Sequence, residues 1–212
     1  MVRVFYFCIM NFETLDNILL NALSEDKISG PSVEEEAIIK KVKQGKDILL
    51  NANMQKDVDL ILFWLSIMRA PQAFEGSPRV LWITESNDRA KYLIATLQKW
   101  VRRSEIAVES ANESGKKIEQ RNNIFDGADI IIGTPKRVLE LYNQNGFHIH
   151  QLSLFIIDEL DVLSRQPTNL QHVRRVCESI LKCQKLFVNR GKHERLIPFV
   201  EEICYSYEEI DI

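Results

Sequence analysis

The chain has 212 residues, 45% of them hydrophobic and 27% charged, enough for one large domain or two small ones with a core that needs no staples. A net charge of −3 excludes a chain that is basic throughout, so any nucleic-acid binding must rest on a local patch. Four cysteines without a C-x-x-C pair argue against a zinc site and a disulfide framework, and fit a reducing cytoplasm.

Residues 1–10, MVRVFYFCIM, are apolar with one arginine. Their apolar core is too short for a signal peptide or a membrane span. An extra edge strand and sequence ahead of a start at Met10 both fit them. Beyond this point short aliphatic runs alternate with amphipathic stretches. The pattern predicts a helix over Val33–Gln44, a strand over Asp47–Asn51, a helix over Asp57–Arg69 and a loop over Arg69–Pro78. It then predicts a strand over Val80–Thr84, a helix over Asp88–Arg103 capped by Asn87 or Asp88, and a strand over Ile106–Ser110. A helix over Glu113–Phe125, a strand over Asp129–Gly133 and a helix over Pro135–Asn143 follow, the proline suiting a first helical turn. Strands over Leu154–Asp158 and Lys185–Val188 flank a helix over Leu170–Cys183. Such alternation implies an α/β domain whose mainly parallel sheet carries helices on both faces. Ligands in such folds bind beyond the carboxyl ends of the strands, where Thr84, Thr134 and Asp158 fall. Trp64, Trp82 and Trp100 lie in apolar contexts and read as core.

Two segments carry chemistry. Residues 128–137 read Ala-Asp-Ile-Ile-Ile-Gly-Thr-Pro-Lys-Arg, and residues 154–163 read Leu-Phe-Ile-Ile-Asp-Glu-Leu-Asp-Val-Leu. Together they resemble adjacent motifs of a DEAD-box RNA helicase, a strand ending in Thr-Pro-Gly-Arg and one ending in Asp-Glu-Ala-Asp. The likeness covers roughly residues 11–205 and implies a single RecA-like domain of the P-loop NTPase type over 11–212. Because the family-like sequence begins at Asn11, residues 1–10 read as an extension. The resemblance also implies ATP and Mg²⁺ as cofactors. Asp158 would hold the metal through water, and Glu159 would position the attacking water.

The nucleotide side departs from the family pattern. Phe12 stands where a base-stacking aromatic would, and reads alternatively as a core aromatic at a helix start. Pro31-Ser32-Val33-Glu34-Glu35 resembles the adenine-reading Pro-Thr-Pro-Ile-Gln, with Glu34 or Glu35 in place of the glutamine. An ionised glutamate accepts hydrogen bonds but cannot donate one to adenine. No glycine occurs between Gly45 and Gly76, although a phosphate loop needs glycines, a lysine and a hydroxyl. Aligned without a gap, Val58 and Asp59 take the lysine and hydroxyl places; with a two-residue deletion, Lys56 and Asp57 take them. Either way a carboxylate replaces the hydroxyl. The Ser-Ala-Thr that couples hydrolysis to unwinding falls at Asn189-Arg190-Gly191. Asp158 and Glu159 therefore read as remnants that pair with basic neighbours or with solvent.

The RNA-facing side is better kept. Glu85-Ser86-Asn87-Asp88-Arg89-Ala90 takes the place of Pro-Thr-Arg-Glu-Leu-Ala, keeping the alanine and shifting the arginine. A Gly-Gly turn has no clear counterpart, Gly115 being the nearest glycine. Thr134-Pro135-Lys136-Arg137 is nearly intact and gains a charge. Ser86, Thr134, Lys136 and Arg137 are the expected contacts to the phosphate backbone, with Lys116, Lys117 and Arg121 on the same side. The chain stops near where a helicase would pass to its second RecA-like domain, so unwinding is not expected of it alone. The expected function is binding of RNA or another nucleic acid without ATP turnover. The alternatives are a weak ATP-binding half that works with a partner chain, and a protein-interaction scaffold.

Overall fold

The computed structural model describes residues 32–53, 58–70, 76–180 and 182–212, together with Asn17, Leu19, Asn21, Ala22, Ser24 and Glu25. The expectations for residues 1–10, Phe12, Lys56 and Asp57 lie outside the described residues.

Helix α1 (Val33–Lys43) opens with a capping box, in which Ser32 Oγ accepts from Glu35 N and Glu35 Oε2 accepts from Ser32 N at 2.6 Å. It leads into β1 (Asp47–Ala52) and α2 (Asp59–Arg69). Next come β2 (Val80–Ile83), α3 (Asn87–Val101), β3 (Val108–Ala111) and α4 (Lys117–Asp126). Then follow β4 (Ile130–Gly133), α5 (Pro135–Asn143), β5 (Leu154–Ile157), a short α6 (Leu160–Leu163) and α7 (Pro167–Cys177). Strand β6 (Gln184–Arg190), α8 (Ile197–Ile203) and β7 (Tyr207–Asp211) close the chain.

The strands form one sheet in the order β3-β4-β2-β5-β6-β1-β7, and every pairing is parallel. Side chains alternate across such a sheet, and here both faces are buried. Ile48 and Leu50 of β1, Trp82 of β2 and Ile156 of β5 pack with α1, α2 and α3. Leu49, Leu81, Phe155 and Phe187 face the other way, against α5, α7 and α8. Trp82 and Trp100 are core, as expected; Phe63 packs beside both, with ring centroids 5.8 and 5.2 Å away.

The differences from expectation are local and have causes. Helix α3 is capped by Ser86, whose Oγ accepts from Arg89 N, rather than by Asn87 or Asp88. Helix α4 starts at Lys117 instead of Glu113 because Asn112 closes a turn, its Oδ1 accepting from Ser114 N. Strand β3 sits two residues later than predicted at its start. Helix α7 begins at Pro167, a favourable first-turn position, and ends at Cys177. Helix α8 and strand β7 were not anticipated.

Candidate functional site

The carboxyl ends of β2, β4 and β5 present the motif residues together. Gly133 ends β4 beside Ala111 of the paired strand β3: a Cβ there would lie 1.9 Å from the Ala111 carbonyl oxygen, so glycine alone fits. Thr134 and Pro135 then turn the chain into α5. Thr84 and Asp158, at the ends of β2 and β5, are fully buried.

A buried carboxylate is stable only when it is paired, and Asp158 is paired by Arg89. Arg89 lies in the first turn of α3, where the Ser86 cap fixes its backbone, and its guanidinium points inward. Its Nε and Nη2 donate to Asp158 Oδ2 at 3.1 and 2.9 Å. Its Nη1 donates to Asp59 Oδ2 at 2.7 Å, and Nη2 also reaches Asp59 Oδ1. One guanidinium therefore ties α3 to the first residue of α2 and to the end of β5. The Tyr92 ring lies against it, 5.7 Å from its centroid. Burial raises the Asp158 carboxyl to about 6, against the opposing pull of Arg89. The two carboxylates hold the guanidinium well above its ordinary value although burial opposes them.

Glu159 is held separately. Its backbone is left-handed (φ 50°, ψ 48°), a conformation that costs on the order of 1–3 kcal/mol for a residue with a side chain. Its Oε1 lies 3.5 Å from Arg190 Nε, and burial, with Glu159 nearby, raises the Glu85 carboxyl. Asp161 accepts from Arg190 N at 3.0 Å, and His193 Nε2 lies 3.8 Å from its other oxygen. Each acid of the Asp158-Glu159-Leu160-Asp161 run thus faces a basic group of this chain. No group of three or more His, Cys, Asp or Glu among the described residues is arranged to hold a metal ion.

The start of α5 forms the second part of the site. A cleft of about 400 Å³ is lined by Ser86, Glu113, Thr134, Lys136, Thr168 and His172, among others. Thr134 gives α5 no side-chain cap; its hydroxyl donates to Glu113 Oε2 at 2.6 Å. Lys136 is exposed. Arg137 turns the other way and is buried. Its Nη1 donates to the Gly115 carbonyl at 3.0 Å and to Gln120 Oε1 at 2.7 Å, and its Nε lies 3.3 Å from Glu140. Arg137 thereby braces α5 against α4 and the turn before it. Lys116 faces Glu119, and Lys117 lies 3.9 Å from Glu140.

A model of the DEAD/DEAH box helicase family matches residues 61–192, more than half of the chain. The chain belongs to the DEAD/DEAH box helicase family. Among curated relatives, a probable ATP-dependent RNA helicase of Bacillus subtilis, YfmL, is 20% identical over 156 residues, 74% of this chain and 41% of its own. The probable ATP-dependent RNA helicase ddx42 of Dictyostelium discoideum is 22% identical over 150 residues, 69% of this chain and 15% of its own. The chain thus spans less than half the length of these relatives. Among solved structures, Saccharomyces cerevisiae Dbp5 bound to RNA and ADP BeF3 superposes with a TM-score of 0.80 at 16% identity, over 95% of this chain and 51% of that one. A hypothetical ATP-dependent RNA helicase from Sulfolobus tokodaii gives 0.75 at 18%, over 92% and 57%. These likenesses establish a RecA-like helicase fold.

Within this helicase-family domain the expected site residues divide. Asp158, Glu159, Ser86, Thr134 and Lys136 converge at one end of the sheet. Glu35 stands apart in the α1 cap, its carboxylate engaged by Ser32 N; the Ser-x-x-Glu spacing is the signal for that role. Of the two registers for the phosphate loop, the gap-free one places its carboxylate, Asp59, beside Asp158. Asn189 is buried and donates to Asn51 Oδ1 at 3.2 Å. Sequence reading missed Arg89. Its signal is an arginine at the apolar leucine place of Pro-Thr-Arg-Glu-Leu-Ala, where an inward side chain is required.

Proposed function

We propose that this domain binds the RNA backbone at the start of α5 and does not turn over ATP. The observation that carries the reading is the state of the acid pair, with Asp158 engaged by Arg89 and Glu159 by Arg190. A general base or metal ligand needs its lone pairs directed at substrate or ion. Here Arg89 takes up Asp158 Oδ2, and Arg190 stands at Glu159. The RNA half of the proposal draws support from the α5 cleft, with its uncapped helix start beside Lys136, because such a start favours an anion. It draws further support from the RNA bound to the superposable yeast helicase.

One observation favours a second reading, a protein-interaction scaffold. Glu85 and Glu113 line the same cleft as Lys136, so two carboxylates oppose one lysine where a phosphate would approach.

Phosphate release from ATP with Mg²⁺ and single-strand RNA, and RNA binding across a salt series, test both halves. The expected results are release at background, unchanged in Asp158→Ala, and RNA affinity that falls with salt. Lys136→Ala should lower the salt slope by about one. A wild-type rate that collapses in Asp158→Ala overturns the first half. Absence of RNA binding at low salt overturns the second and favours the scaffold.

A further inference from the structure

The family resemblance implies a divalent cation, carried in with a nucleotide, between the residue at the start of α2 and the first acid of the motif after β5. The residues at those places are Asp59 and Asp158, and they do not fit that role, because a guanidinium already lies between them. We infer that Arg89 is a resident cation: the chain supplies from its own α3 the positive charge that the nucleotide-bound metal supplies elsewhere, and so closes this site permanently. The inference rests on the reading of the acid pair as non-catalytic and adds to it the residue that shuts the site.

Three features of the geometry support it. First, Arg89 donates to both oxygens of Asp59 and twice to Asp158 Oδ2, so a single side chain bridges the two carboxylates as a bound cation would. Planar, multidentate recognition of carboxylate is what a guanidinium does well and an ammonium does not. Second, the arrangement is buried. The side chains of Arg89, Asp59 and Asp158 are 15%, 8% and 0% exposed, and Tyr92 packs against the guanidinium. A metal entering beside Arg89 would have to displace it or lie against a like charge in a poorly solvated place. Third, the two departures from the family pattern complement each other. An arginine at the buried leucine place and an aspartate at the hydroxyl place each bring a charge into a poorly solvated place, where pairing the two lowers the cost. Together they neutralise.

The test is thermal melting of the full chain, with Mg²⁺ or Ca²⁺ at millimolar concentration against NaCl of matched ionic strength. The wild type should show no divalent-specific shift. Arg89→Leu should lower the midpoint by roughly 10 °C, since breaking a buried ion pair leaves charge uncompensated, and divalent ions should restore part of that loss by binding the carboxylate pair in place of the guanidinium. Asp59→Leu combined with Arg89→Leu should melt higher than Arg89→Leu and show no divalent effect. A wild type stabilised specifically by Mg²⁺ would overturn the inference. So would an Arg89→Leu variant that melts with the wild type, or one whose loss no divalent ion repairs. If Arg89→Leu fails to fold, recovery of folding in the double variant supports the inference and failure of both overturns it. None of these readouts uses ATP turnover or RNA, so they fail separately from the proposed function.

Discussion

Two charged clusters stand at the carboxyl end of one sheet, and they are built in opposite ways. Around Asp158 the charges are closed on themselves: Arg89 bridges two carboxylates, and Arg190 meets a third and hydrogen-bonds a fourth through its backbone. At the start of α5 the arrangement is open. Thr134 leaves the helix uncapped, Lys136 faces solvent, and the cleft contains Glu113. The closed cluster holds α2, α3 and β5 together, and the open one leaves groups free for a partner.

The sharpest way to break that comparison is to cut one charge from each cluster. Arg89→Ala should cost about 3–5 kcal/mol of stability, because it leaves two buried carboxylates without their cation. Lys136→Ala should change stability by no more than about 0.5 kcal/mol, as expected for an exposed side chain away from any network. Urea melts of the two variants beside the wild type measure both. Equal, small losses would show that the Asp158 cluster is not holding the fold.

Arg137 sharpens where the boundary lies. It belongs to the contact motif by sequence, yet its guanidinium is buried among Gly115, Gln120 and Glu140. Arg137→Ala should cost about 2 kcal/mol through unpaired buried partners. Arg137→Lys should recover little of it, because one ammonium cannot meet three partners in the plane of a guanidinium. A neutral Arg137→Ala in the same melts would return this residue to the open cluster.

These cases show what was legible in the sequence. Strands β2, β4 and β5 stood out because each is a short run without a polar side chain, buried on both faces, and a parallel sheet requires that. Strand β7 did not, because Tyr-Glu-Glu-Ile-Asp carries three acids and pairs with β1 at the sheet edge, where Ile210 alone needs burial. Placing Thr84, Thr134 and Asp158 at strand ends, and Lys136 in the first turn of the helix that follows, required only the motif and the fold. The leucine place of Pro-Thr-Arg-Glu-Leu-Ala pointed Arg89 inward, but the partners of Arg89 and Arg137 were not readable, because an arginine near a helix start looks the same whether it faces phosphate or a buried acceptor. That choice depends on Asp59 and Gln120, which lie 30 and 17 residues away in the chain.

The closed cluster should also respond to pH. Burial lifts the folded-state Asp158 carboxyl to about 6, above an unfolded value of about 4. The sign follows directly: the folded state takes up a proton at Asp158 before the unfolded chain does. Lowering pH from 7 to 5 therefore favours the fold at this residue, and raising it removes the benefit. Measured as the difference in melting midpoint from Asp158→Asn, which cancels other titrations, the wild type should gain on acidification. A difference that stays flat from pH 7 to 5 would place the Asp158 proton elsewhere.

The smallest expected effect tests the open cluster from the side of its flaw. If RNA phosphates approach the first turn of α5, the Glu113 carboxylate opposes them. Glutamine keeps the geometry, since its amide oxygen can still accept from the Thr134 hydroxyl, while removing the charge. Two unit charges about 7 Å apart in high dielectric interact by roughly 0.6 kcal/mol before salt screening. Glu113→Gln should therefore tighten single-strand RNA binding about threefold at low salt, an advantage that fades as salt rises. Fluorescence anisotropy with a labelled oligonucleotide resolves a change of that size. Tighter binding with an unchanged melting midpoint would place RNA at this turn. Affinity that is unchanged at low salt would mean that RNA, where it binds, passes over another surface, and would leave the Glu85 and Glu113 cleft to a protein partner with a basic side chain to offer.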